Sequence, residues 1–139
     1  MLRTARLIRK SCSITGLPLT CFHSFFGSSR CSDLAKGAAA QLVGGDVPKH
    51  EDSEKTFADL KARLAKTLTL VQSFKPSDID GSEDREINLT LGEHKMSFRG
   101  QPYLVHFVMP NFYFHCTTAY DILRHCGVEL GKRDFIGTI

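Results

Sequence analysis

Residues 101–126, "QPYLVHFVMPNFYFHCTTAYDILRHC", decide the fold. Apolar side chains recur there at helical spacing, and Pro110 interrupts them. A proline inside a helix removes one backbone donor and crowds the carbonyl four residues back. A kink or break is expected at that point, so helical phase cannot be carried across it. Beyond the proline, at ~100° per residue, Phe112, Cys116, Ala119, Leu123 and Cys126 fall within ~40° of one line. That line is a core seam, and the segment reads as the last helix of an all-α fold.

The same helix carries most of the residues that invite a chemical reading. His115 lies ~60° from the seam, His125 ~140° from it and Asp121 opposite, so the two imidazoles do not converge. A metal pair on one helix needs ligands at i and i+3 or i+4, yet positions 118 and 119 are Thr118 and Ala119. His115 could serve a metal only with ligands from other helices, of which Asp33 is the best-placed carboxylate. A border histidine bonded to a tyrosine or to backbone is the simpler expectation. Tyr113 and Tyr120 lie close in angle and read as core-edge tyrosines. Cys116, set in an apolar seam, would have a raised thiol pKa unsuited to a nucleophile. "LGKRD" lacks the glycine spacing of a phosphate loop.

Upstream the hydrophobic period changes from helical to two. In "EINLTLGEHKMSF" (86–98), a type II′ turn at Gly92-Glu93 makes Leu91 face His94, Leu89 face Met96 and Ile87 face Phe98. The apolar residues then share one face, which predicts a β-hairpin packed on the helices. The polar stretch "KPSDIDGSEDRE" (75–86) lacks the ligand order of a calcium loop and reads as solvated.

Two helices precede it. Thr56 with Asp59 forms a capping-box start, and Phe57, Leu60, Leu64, Leu68, Val71 and Phe74 follow on one arc, predicted to be buried. Asp59, Lys61, Arg63 and Lys66 fall on the face expected to meet water, and Pro76 blocks continuation. In "CSDLAKGAAAQLVGG" (31–45), Leu34, Ala38 and Leu42 repeat, Ser32 can cap, and Gly44-Gly45 ends a short helix over about 32–43.

Residues 1–30 look foreign to this body. They hold Arg3, Arg6, Arg9, Lys10 and Arg30 and no acid, and they are rich in serine. They read either as a mitochondrial presequence or as a misplaced start of the reading frame, and disorder is expected in both cases. Setting them aside with the next two residues leaves 13 basic against 15 acidic side chains, which gives no electrostatic footprint for nucleic acid. At 139 residues the chain suggests one domain, over 31–139, and no apolar run is long enough to span a membrane. Five cysteines without a C-x-x-C pair point to free thiols in a reducing compartment, the cytoplasm, or the mitochondrion if the head is a presequence.

The strings "DLAKGAAAQL", "TFADLKARLAKTL", "EINLTLG" and "YLVHFVMPNFYFHCTTAYDILRHCGVELGKRDFIG" resemble the bacterial and fungal family known as domain of unknown function nineteen ninety-three. That family resembles the DinB/YfiT-like superfamily of four-helix bundles, whose relatives include metal-dependent thiol transferases and isomerases. The resemblance implies a histidine on the second bundle helix and a histidine pair on the last. His115 matches the last-helix position, but its i+4 partner is Ala119, and the short helix offers Asp33 or Lys36 where a histidine is expected. It also implies a full helix before "DLAKGAAAQL", which residues 1–30 do not resemble.

The expected protein is therefore an incomplete DinB-like bundle of about three long helices with a hairpin before a kinked last helix. It is expected to bind a small ligand or a partner through Asp33, Lys36, Tyr113, His115 and Tyr120, without an intact metal site and with no cofactor. A degenerate metal-dependent enzyme holding a divalent ion on Asp33 and His115 is one alternative. A homo-oligomer closed through the open bundle groove is another.

Overall fold

The computed structural model describes residues 18–137, with side chains from residue 27 onward. The described chain forms two compact units, one of residues 29–113 and one of residues 18–28 with 114–137. Its elements are α1 (Pro18–Val43), α2 (Phe57–Ser73), α3 (Pro76–Ile79), β1 (Glu86–Leu91), β2 (His94–Arg99), α4 (residues 100–125) and α5 (Lys132–Ile136). The fold is helical with one small hairpin, as expected.

In the larger unit, local chemistry sets the boundaries. At the start of α2, Thr56 Oγ1 accepts from the Asp59 N–H at 3.2 Å, and Asp59 Oδ2 accepts from the Thr56 N–H at 2.8 Å. This is the expected capping box, and its hydrogen bonds hold the Asp59 carboxyl below its ordinary pKa. The end of α1 is closed by bonds from the Gly44 N–H to the Gln41 carbonyl and from the Gly45 N–H to the Ala40 carbonyl, a Schellman arrangement. The hairpin register is the expected one, with Leu91 opposite His94, Leu89 opposite Met96 and Ile87 opposite Phe98. Gly92 has φ +61° and, among the described residues, no non-glycine residue has positive φ, so Glu93 cannot occupy the second half of a type I′ turn.

The hairpin lays its apolar face on the helices. Ala38 and Leu42 of α1, Ile87 of β1, and Tyr103 and Val108 of α4 form the core, with Leu89, Phe98 and Phe107 packed against it. Ile87 is 1% exposed, a burial that stabilises by about 2–3 kcal/mol. Phe98 meets Tyr103 and Phe107 at ring distances of 5.9 and 5.3 Å. Burial pushes the Tyr103 phenol above its ordinary pKa.

The disturbance expected at Pro110 takes a specific form. Helix α4 runs through the proline, and the six residues Tyr103–Val108 just before it are π-helical. The Met109 N–H reaches the carbonyl of Leu104, five residues back. The widened turn relieves the crowding that Pro110 would impose on the carbonyl of His106. The Asn111 side-chain amide donates to the Phe107 carbonyl at 2.6 Å in the same stretch.

In the smaller unit, α1 and the second half of α4 approach closely at Gly27. A Cβ there would lie 3.3 Å from the His115 carbonyl oxygen and 3.5 Å from the Ala119 Cβ, so glycine permits the contact. Ala119, Cys126 and Val128 are buried and His125 and Asp121 exposed, in line with the seam read from the sequence.

Four expectations need correction. The first helix does not start near residue 32: it begins at Pro18, so residues 18–30 are helical. Proline suits the first helical position because the N–H it lacks would have no helical partner there. The head up to residue 17 lies outside the described residues. On α2 the expected arc is largely turned to solvent, with Leu64 at 40% and Leu68 at 57% exposure, while Arg63, expected in water, is 5% exposed. The polar stretch after Ser73 is not all loop, since Pro76–Ile79 forms a helical turn. Tyr113 is 53% exposed and not at a core edge.

Candidate functional site

Helices α1 and α2 of the larger unit meet through polar side chains. Ser32 and Lys36 on α1, and Arg63 and Thr67 on α2, are all buried, each pair at i, i+4 spacing. Ser32 Oγ and Thr67 Oγ1 share a hydrogen bond of 2.6 Å, and Arg63 Nε donates to Ser32 Oγ at 3.4 Å. Asp33 Oδ1 accepts from Lys36 Nζ at 2.7 Å and from Arg63 Nη2 at 2.8 Å. The run Ala38, Ala39 and Ala40 keeps α1 slim beyond this cluster.

The remaining contacts of Arg63 come from residues 44–56, a connection without helix or strand. Its Nη1 donates to the Glu51 carbonyl at 3.2 Å, to Asp52 Oδ1 at 2.8 Å and to both Glu54 carboxylate oxygens at 3.0 and 3.1 Å. Burial pulls the Arg63 pKa down, but Glu54, Asp33 and Asp52 outweigh it and hold the guanidinium charged. Removing such a cation from its carboxylates would leave uncompensated charge in a poorly solvated place.

Between this connection and α2 lies a cleft of about 670 Å³, a size usual for small-molecule sites. Arg63 forms part of its wall, with Lys49, Lys55, Lys66, Glu51 and Asp59 around it. His50 also lines it, with a pKa below the ordinary value because of partial burial and then of Lys36, Lys66 and Arg63, against a smaller opposing effect of Asp33. It is neutral near pH 7. Its Nδ1 is buried without a hydrogen-bond partner among the described residues.

Of the five residues expected at the site, Asp33 and Lys36 are brought together. Tyr113 packs edge-on against Phe112 in the larger unit. His115 and Tyr120 belong to the smaller unit. There the His115 ring meets Phe114 at 5.3 Å, while Tyr120 packs on Phe135 and accepts a hydrogen bond from Arg124 at 3.3 Å. Arg63, Asp52, Glu54, Ser32 and Thr67 were missed. One signal was available: Ser32 and Lys36 recur at i, i+4 beside the apolar stripe of α1, as Arg63 and Thr67 do on α2.

The donor set does not suit a resident metal at Asp33. The carboxylate oxygen Oδ1 already accepts from two cations, and both would repel a third. Among the described residues no three His, Cys, Asp or Glu side chains form a metal-binding group. No helix among the described residues is long and apolar enough to cross a membrane.

Comparison with known proteins adds two likenesses. Residues 26–136 match a family model described as Domain of unknown function (DUF1993). A crystal structure of a DinB family member protein from Shewanella denitrificans is similar, with 30% sequence identity and a TM-score of 0.76, over 100% of this chain and 86% of that one. No curated protein matches.

Proposed function

This chain belongs to the DUF1993 family and is DinB-like, and we propose that it binds a small ligand in the cleft beside the Asp33–Lys36–Arg63 cluster, without a resident metal. One observation carries the reading: a cleft of small-molecule size has a buried, fully charged arginine in its wall. Against a metal stands the double cation contact on Asp33 Oδ1.

Ala62 lines the cleft and is exposed, so Ala62→Trp fills the space without removing any member of the cluster. Small molecules that raise the melting temperature of the native chain should lose that effect in Ala62→Trp. Stabilising ligands indifferent to the substitution would place binding elsewhere. Elemental analysis should find no stoichiometric divalent ion; near-unit metal lost in His115→Ala would favour the Asp33–His115 alternative.

A second reading, self-association, is favoured by the exposed apolar residues Leu64, Leu68 and Val71 on α2. Its test is sedimentation, where a dimer dispersed by Leu68→Lys would support it and a monomer at high concentration would end it.

A further inference from the structure

We propose that the ligand of this cleft is a small anion bearing a carboxylate or phosphate, and that residues 44–56 form a strap whose carboxylates occupy its place until it binds. The proposal rests on the ligand-binding reading above and names the class of ligand and the gate.

Arg63, in the cleft wall, joins charges of two origins, those of the helix cluster behind it and those of the strap. The helices supply two buried cations, Lys36 and Arg63, and one carboxylate, Asp33, which both of them share. Taken alone, that cluster carries an excess positive charge. The strap supplies the rest through Asp52 and Glu54, both on the single nitrogen Nη1 of Arg63. Asp52 does so from a side chain that is 70% exposed, reaching out of water onto a guanidinium that is 3% exposed. A carboxylate so placed stands where the carboxylate or phosphate of a ligand would stand, since two-oxygen anions are the natural partners of a guanidinium.

The strap is loosely fixed to the rest of the unit. Residues 46–54 make no backbone–backbone hydrogen bond among the described residues. Its C-terminal end is fixed by the Lys55 and Thr56 N–H bonds to Asp59, and ahead of that point its hydrogen bonds to α2 go to Arg63, so an anion that takes Nη1 also releases residues 51–54.

The remaining wall favours the same ligand sign. Lys49 and Lys66 form no ion pair among the described residues. Of the acids, Glu54 is engaged by Arg63 and Asp59 by the cap of α2, which leaves Glu51. His50 is uncharged near neutral pH and does not alter the balance.

The experiment is titration of the full chain with citrate, inorganic phosphate, glycerol and spermidine, followed by calorimetry or amide chemical shifts. Citrate or phosphate should bind, about tenfold more tightly in Asp52→Asn, which removes a charged competitor, and several-fold more weakly in Lys66→Gln. Lys66 is exposed, so that variant keeps the fold. Glu51→Gln is the control, because it deletes one carboxylate charge from the cleft wall while the Glu51 contact to Arg63 is made by its backbone carbonyl. Equal effects of Asp52→Asn and Glu51→Gln would overturn the strap. Anion binding unchanged by Asp52→Asn and Lys66→Gln would overturn the proposal, as would binding of glycerol or spermidine only. If that neutral or cationic binding is lost in Ala62→Trp, the ligand-binding reading survives alone; if no molecule of any charge loses binding in Ala62→Trp, both fall.

Discussion

Helix α1 takes part in two interfaces of opposite character within the larger unit. Toward the hairpin and α4 it offers Ala38 and Leu42, which pack with Ile87, Tyr103 and Val108 in a hydrophobic core. Toward α2 it offers Ser32, Asp33 and Lys36, which meet Arg63 and Thr67 through hydrogen bonds and ion pairs. The first interface depends on area removed from water, tolerates modest repacking and has no directional demand. The second depends on every polar partner being present, because a half-satisfied buried network costs more than none. A seam built in the second way suits a place where a ligand must later exchange for protein groups.

Substitutions can break that contrast on either side. The largest effect outside the arginine itself is expected from Ile87→Ala, which deletes a fully buried side chain and should lower stability by about 2–5 kcal/mol in chemical denaturation, with the polar seam intact. Ser32→Ala should cost about 1–3 kcal/mol, since it leaves Thr67 Oγ1 and Arg63 Nε short of a partner. The double variant Ser32→Ala with Thr67→Val should cost less than the sum of the two, which a double-mutant cycle reads directly. Additive values would mean that the two hydroxyls do not act as a pair.

A smaller change tests the apolar side. Gly92→Val forces a β-branched residue to φ +61° and should cost about 1 kcal/mol through the hairpin turn. An unchanged melting curve would show that the turn is not what sets the register.

The smallest effect is one of pH. His50 titrates near 6.5 when unfolded and lower when folded, so the native state resists a proton that the unfolded chain accepts. Its contribution is complete above about 6.5 and is lost as pH falls from there through the lower folded value. His50→Gln should flatten stability across that window, measured as melting temperature from pH 7 to pH 5. An equally steep decline in the variant would assign the effect to other groups.

What could be read from the sequence follows the same division. The hairpin register and the capping box of α2 were legible because each is written in adjacent residues: alternation around Gly92, and Thr56 three residues before Asp59. The buried role of Arg63 was not, because its partners lie on α1, about 30 residues away, and on a strap without periodicity. A charged residue on an amphipathic helix ordinarily faces water, and the leucines of α2 supplied a more hydrophobic stripe to bury. Tertiary pairing overrode that pattern and left Leu64 and Leu68 exposed. The start of α1 at Pro18 was missed for another reason, since Ser32 offered a plausible cap. Gly27 lies inside the helix and marks the close approach of α1 to the second half of α4.

The burial of Arg63 in place of the leucine stripe is tested most directly by putting one residue type at both positions. Thermal unfolding of Arg63→Gln and Leu68→Gln, side by side with the native chain, compares a site that periodicity assigns to water with one that it assigns to the core. With Arg63 buried on three carboxylates and Leu68 in solvent, Arg63→Gln should lower the melting temperature by about 10 °C or more, and Leu68→Gln by about 2 °C or less. The reverse order, with Leu68→Gln the damaging change and Arg63→Gln nearly silent, would contradict the polar seam and the ligand site built upon it.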